Sequence, residues 1–208
     1  MVLAALLVGN VQAQPSSTAP SLRQWFAETD STLLFDIYRV ESPVLTGHLR
    51  AVHWSAKPLI AGAGAAVAVG EWSSNDPRWE VPLAVMAAQG SGFILQYGLK
   101  ALFQRPRPYD VYPSIESRSA AYPDPNDPYA LPSGHATLGF ATAASLSLAY
   151  PEWYVVGPAA IWAGNVALSR PWLGVHYPSD IVLGAVLGTA LGIGVHLLVP
   201  RALPRSMR

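Results

Sequence analysis

With 208 residues, 13 Lys and Arg and 13 Asp and Glu, the chain has a formal net charge of zero, which removes any bulk electrostatic case for nucleic-acid binding. Only 12% of residues are charged and 51% are hydrophobic, about half the charge of an average soluble domain at roughly 25%. Mean hydropathy is +0.26, so a membrane-attached helical protein is a serious candidate. Cysteine is absent, which excludes disulfides, thiol catalysis and cysteine metal sites.

Val2 to Gly9 is an apolar run too short to cross a bilayer, which takes about 20 residues. It leads into Val11-Gln12-Ala13, with small residues at the positions a signal peptidase reads. Residues 1–13 therefore read as an export signal lacking the usual basic start, and residues 14–208 as one helical domain. From 21 to 51, apolar residues such as Trp25, Phe26, Leu33, Leu34 and Ile37 recur at helical spacing among charged ones, with a break at Pro43. One or two amphipathic helices lying on a bundle or a membrane surface are expected.

Five strongly apolar segments follow, at residues 58–70, 81–103, 136–150, 154–169 and 181–199, and all five predict helices. Their small residues, Gly184, Gly188 and Gly192 among them, would weaken an isolated helix but allow two helices to approach closely, the membrane pattern. Trp72 and Trp79 bracket one connection and Tyr150, Trp153 and Tyr154 another, as at a bilayer interface. The second segment carries Gln89, Gln96 and Lys100, so a soluble all-α bundle stays open beside the membrane-embedded one. If the chain enters from outside, five antiparallel spans bring the end of the second, the start of the third, the end of the fourth and the start of the fifth to the outer side. Arg201, Arg205 and Arg208 then lie inside, in agreement with the positive-inside rule.

Polar clusters occupy those four outer points. The first is Lys100 followed by Arg105-Pro106-Arg107-Pro108; read alone it is either an interfacial lysine with an extended linker or a cation pair for a phosphate. Lys100, Arg107 and, later, Arg170 place about three positive charges at one end without an equal number of evident acids, and a phosphate monoester would complement them. The second cluster is Pro132-Ser133-Gly134-His135 before an apolar run. It predicts a helix start with Ser133 as N-cap, a terminus suited to an anion, and His135 on the same turn as a proton donor. In the third, from Ser169 to Asp180, Pro178 fits a first helical position, with Asp180 in the first turn and His176 just before it. An Asp one turn from a His can fix its tautomer for nucleophilic attack; a helix-capping carboxylate beside an interfacial histidine fits the same spacing.

Taken together, Lys100 with six residues before Arg107-Pro108, then Pro132-Ser133-Gly134-His135, then Ser169-Arg170 with five residues before His176 and three more before Asp180, resemble the signature of the type 2 phosphatidic acid phosphatase superfamily. The likeness covers about residues 81–199. It implies an all-α bundle of five or six core helices and a phosphoric ester hydrolase without a metal or other cofactor. His176 would form a phosphohistidine, Asp180 would orient it, and His135 would protonate the leaving oxygen and then activate water. Lys100, Arg107, Arg170, Ser133 and Gly134 would hold the phosphoryl oxygens. The spacing selects Arg107 over Arg105, whose role is open, and His48, His53 and His196 match nothing in the pattern.

The expected substrate is a phosphomonoester or pyrophosphate, on a lipid or a small molecule, handled at the outer face of a bacterial inner membrane with no protein partner implied. The superfamily also contains soluble periplasmic acid phosphatases and vanadium-dependent haloperoxidases. The stretch 109–131, rich in Tyr, Pro and Asp, is longer than an ordinary helix connection and is expected to cover the site.

Overall fold

The structure, a computed structural model, describes residues 22–202, with side chains over residues 27–199. The expected export signal lies outside the described residues. Among the described residues there are six long helices and one short turn of helix: α1 (Leu22–Tyr38), α2 (Pro43–Trp72), α3 (Glu80–Phe103), α4 (Pro108–Val111), α5 (Gly134–Ala149), α6 (Trp153–Trp172) and α7 (Pro178–Ala202). No strand occurs among the described residues.

The break at Pro43 falls where the sequence puts it. Ser42 is the N-cap, its hydroxyl accepting the Leu45 N–H at 3.4 Å, and Pro43 takes the first helical position, where its missing N–H costs nothing. The helix then runs through Pro58 without ending, so the part of the amphipathic stretch from Pro43 on and the first apolar segment are one 30-residue helix. The loss of one internal donor at Pro58 is tolerated within a helix that continues apolar on both sides.

Helices α5 and α7 form the tightest seam. A Cβ at Gly188 would lie 2.1 Å from the Thr137 carbonyl oxygen, and one at Gly184 would lie 2.7 Å from that of Ser133. Both atoms are backbone, so only glycine lets the helices meet. Helix α3 packs against this pair, α2 and α6 flank it, and α1 lies across α6 and the start of α7.

The two ends of the bundle differ in composition. At one end the connection after α3, the start of α5, the end of α6 and the start of α7 meet: Ser133 N–H donates to the Asp180 carbonyl at 3.0 Å, and Ala130 N–H to that of Arg105 at 2.8 Å. At the other end the α2–α3 connection reaches the end of α5, through Arg78 Nη1 donating to the Ala149 carbonyl at 3.2 Å. Between the ends, large apolar side chains face outward, including Ile94, Leu102, Ile161, Leu168, Val182 and Val186. Among the described residues, one helix stretch, Pro178–Val199, is long and apolar enough to cross a membrane by length and composition.

Candidate active site

Helix α3 closes on Gln104, which adopts φ 48° and donates its N–H to the Lys100 carbonyl. The left-handed cap ends the helix one turn after Lys100, and Arg105-Pro106 follow outside it. Arg107 itself has φ −78° and ψ 157°, as a residue before proline prefers. This local geometry carries Lys100 and Arg107 into the interior, 3% and 0% exposed.

Ser133 is the N-cap of α5, but its hydroxyl makes no capping bond and is buried without a partner. Gly134 lies against the Gln96 side chain, whose Oε1 would be 2.6 Å from a Cβ placed there. His135 Nε2 is likewise buried without a partner. Buried polar atoms are ordinarily hydrogen-bonded, so the unpartnered ones on Ser133 and His135 have room for a partner from a water or a ligand.

His176 precedes α7 and is 1% exposed. Asp180, fully buried, brings Oδ2 to 3.4 Å from His176 Nδ1, just beyond ordinary hydrogen-bond length, and accepts the Tyr177 N–H on the same oxygen at 2.8 Å. Its other oxygen is held by Arg105 Nη1 at 2.7 Å. Arg105, which the sequence pattern leaves without a role, is thus the anchor of the carboxylate beside His176. Its guanidinium stacks 3.8 Å from the Tyr177 ring centroid and also holds Ser179 Oγ at 2.7 Å and Asp30 Oδ2 at 2.5 Å. Asp30 belongs to α1 and accepts the Ser179 N–H at 2.8 Å, so the N-terminal helix is tied directly to the start of α7. The His176 imidazole is held well below its ordinary pKa, first by burial and then by Arg107, Lys100 and Arg170. It is therefore neutral at physiological pH.

The cations correct one sequence expectation. They are not short of acids, because Asp127, from the connection between α4 and α5, pairs with both Lys100 Nζ and, at 2.9 Å, Arg107 Nη2. Arg107 also donates Nε and Nη2 to the Asp127 carbonyl at 3.1 and 2.9 Å, which fixes the backbone there and delivers the carboxylate. Its Nη1 reaches the Val175 carbonyl at 2.9 Å and lies 3.3 Å from His176 Nε2. Among the described residues, no carboxylate pairs with Arg170. Its Nη2 bonds Ser169 Oγ at 2.7 Å and His53 Nδ1 at 2.9 Å, while Nη1 is buried and unpartnered.

A guanidinium can only donate, so His53 Nδ1 accepts and its proton sits on Nε2, 3.3 Å from Ser119 Oγ. His53 is therefore a member of the cluster that sequence reasoning set aside; its ring centroid is 6.4 Å from that of His135. His48, by contrast, pairs with Asn165 at 2.9 Å, away from the cluster. All eight residues singled out in the sequence sit at one end of the bundle. A cavity of about 550 Å³ runs from Gly134, His135 and His176 past Gln96 to Met86 and Phe93 on α3. Among the described residues, no group of three or more His, Asp or Glu is arranged to hold a metal ion.

Several known proteins are similar. A decaprenylphosphoryl-5-phosphoribose phosphatase of Mycobacterium tuberculosis is 38% identical over 96 residues, 45% of this chain and 48% of that protein. An undecaprenyl-diphosphatase of Sulfolobus acidocaldarius is 41% identical over 68 residues, 32% of each chain. A lipid A 1-phosphatase of Rhizobium etli is 41% identical over 58 residues, 27% of this chain and 24% of that protein. The aligned stretches thus span a quarter to a half of these relatives' lengths. In fold, the chain superposes on a transmembrane PAP2 type phosphatidylglycerolphosphate phosphatase from Bacillus subtilis with a TM-score of 0.72 at 20% identity, covering 98% of this chain and 94% of that one. LpxE of Aquifex aeolicus gives 0.63 at 20% identity over 80% and 94%. A profile of the PAP2 superfamily matches residues 79–204, more than half of the sequence and all eight residues singled out in it, and the chain belongs to that superfamily.

Proposed function

We propose that this protein is a membrane-embedded phosphatase that removes the terminal phosphoryl group from a lipid phosphate or diphosphate. The observation that carries the reading is the set of buried, unpartnered polar atoms at one end of the bundle. Ser133 Oγ, His135 Nε2 and Arg170 Nη1 come from two separate motifs at the end of the bundle that holds His176, and His135 and His176 line one cavity. A phosphoryl group offers acceptors for the donors among them and an oxygen to receive a proton. The continuation of the cavity to Met86 and Phe93 supports a substrate with an apolar body behind the phosphate, as do the lipid phosphates named for the relatives. The outward-facing apolar side chains support a bilayer around the bundle, and the exposed Trp72 and Trp153 suit its interface. The clustered end faces outward from the cytoplasm in this reading, with the N-terminal segment serving in export.

In the proposed reaction Asp180, held by Arg105, keeps the proton of His176 on Nδ1 and leaves the Nε2 lone pair for phosphorus. The P–N bond forms as the P–O bond to the lipid breaks, and His135 gives its proton to the departing oxygen. A water deprotonated by His135 then attacks phosphorus, the P–N bond breaks, and inorganic phosphate leaves. Lys100, Arg107 and Arg170, with Ser133 and the Gly134 amide, stabilise the charge on the equatorial oxygens, the work a metal ion does elsewhere.

A rapid quench of the purified protein with a ³²P-labelled lipid phosphate tests the scheme. Acid-labile, base-stable label should appear on the wild type and be absent from His176→Ala, and activity should persist in EDTA. Equal labelling of both proteins would place the nucleophile elsewhere.

A further inference from the structure

We infer that Asp127 is the resident counter-ion of the phosphoryl site, exchanged for the substrate's phosphoryl group on binding and returning to expel inorganic phosphate after hydrolysis. The inference rests on the reading of Lys100 and Arg107 as phosphate ligands. Both cations are almost wholly buried, and a buried cation with no counter-charge is expensive. Asp127 is the anion that offsets them, bonding Lys100 Nζ and Arg107 Nη2 at once.

Within this trio the anion is the removable member. The Asp127 side chain is 17% exposed, against 3% for Lys100 and 0% for Arg107, so it stands between the cations and the cavity it lines. Its main chain is held independently of its side chain. The carbonyl takes two N–H bonds from Arg107, and its N–H donates to the Asp124 carbonyl at 3.0 Å. Rotation about Cα–Cβ can therefore swing the carboxylate out while the loop stays in place. The same event releases the Arg107 Nη2 ion pair, next to Nη1, which lies 3.3 Å from His176 Nε2.

The exchange fits both halves of a turnover. On entry, a phosphoryl group replaces one carboxylate on two cations, so the donors are never left bare. On exit, the phosphate product sits on the same buried cations, and a tethered carboxylate competes for them at a high effective concentration. A residue of this kind weakens phosphate binding and speeds release, the reverse of what a phosphate ligand or a structural brace does.

The sign of the effect is the test. Inorganic phosphate should be titrated calorimetrically into the full chain in detergent, as wild type, Asp127→Asn, Asp127→Ala and Lys100→Met. Both Asp127 variants should bind phosphate about tenfold more tightly, the order of one charge-assisted hydrogen bond, and kcat and KM should fall together as product release slows. Unchanged or weaker phosphate binding in whichever Asp127 variant folds, judged by its melting temperature without ligand, overturns the exchange. If Lys100→Met binds phosphate as well as the wild type, the reading of Lys100 as a phosphate ligand falls too; if it binds worse while the Asp127 variants do not bind better, the exchange alone is wrong.

Discussion

The two ends of the bundle each hold a buried polar cluster, and the clusters are built on opposite terms. At the far end, Glu71 takes the Arg78 N–H at 2.7 Å, the Tyr150 hydroxyl and, at 3.7 Å, the Arg78 guanidinium, which lies 4.8 Å over the Tyr150 ring centroid. None of these three side chains leaves a buried polar atom without a partner. At the His176 end, Ser133, His135 and Arg170 each leave one free. The Glu71 cluster thus satisfies itself, although Glu80 Oε2 at the start of α3 is also buried without a partner. A cluster that serves a ligand keeps donors and acceptors in reserve and bears the desolvation cost until the ligand comes.

The comparison breaks most visibly at His135. His135→Ala should lower turnover of a lipid phosphate by about 10² to 10⁴, the usual worth of a general acid. The loss should shrink with nitrophenyl phosphate, whose leaving oxygen needs no proton. Steady-state kinetics on the two substrates check this, and equal losses on both would remove the proton-transfer role.

A smaller effect lies in pH dependence. Burial, followed by Arg107, Lys100 and Arg170, holds the His176 imidazole well below its ordinary pKa. Neutral imidazole is the nucleophilic form, and protonation on acidification removes it. The depressed value therefore moves the acid limb of kcat/KM to lower pH. The limb of kcat/KM that reports protonation of His176 in the free enzyme should lie below pH of about 6.5, the unperturbed histidine value. A limb at or above that value would mean that another group titrates.

The least effect on rate is expected at the far end. Glu71→Ala should leave kcat within about twofold, since the cluster shares no partner with the site. It should nevertheless cost about 1 to 3 kcal/mol of stability, as the Tyr150 hydroxyl and the Arg78 amide lose their buried acceptor. Thermal unfolding in detergent beside kinetics separates the two quantities. A large fall in kcat at unchanged stability would erase the distinction between the ends.

What could be read from the sequence was whatever is encoded by spacing along one element. Ser133 before an apolar run marks the α5 start, Pro178 marks that of α7, and four residues put Asp180 one turn from His176. The glycines at 184 and 188 announced a close helix seam. The residues that escaped are those whose partners lie on other elements. Asp30 meets Arg105 across 75 residues, and His53 meets Arg170 across 117. Nothing in the periodicity of α1 or α2 points to either pair. Asp127 escaped for a different reason. It stands in a stretch with no repeating pattern, and it is placed by bonds from Arg107 to its own carbonyl. The extra Arg-Pro at residue 105 was visible but mute, because its function is tertiary.

Because α5 and α7 meet backbone to backbone at Gly184 and Gly188, His135 and His176 stand at adjoining ends of what is nearly one rigid body. The far wall of the cavity is different: it is made by the flexible or aromatic side chains Met86 and Phe93 on α3 rather than by backbone meeting backbone. The chemistry is thus mechanically insulated from the surface that meets the rest of the substrate. Substitutions along α3 can alter which tail is accepted while the distance between the two histidines is inherited unchanged, so a lineage built on this bundle can diversify its substrates without reinventing its reaction.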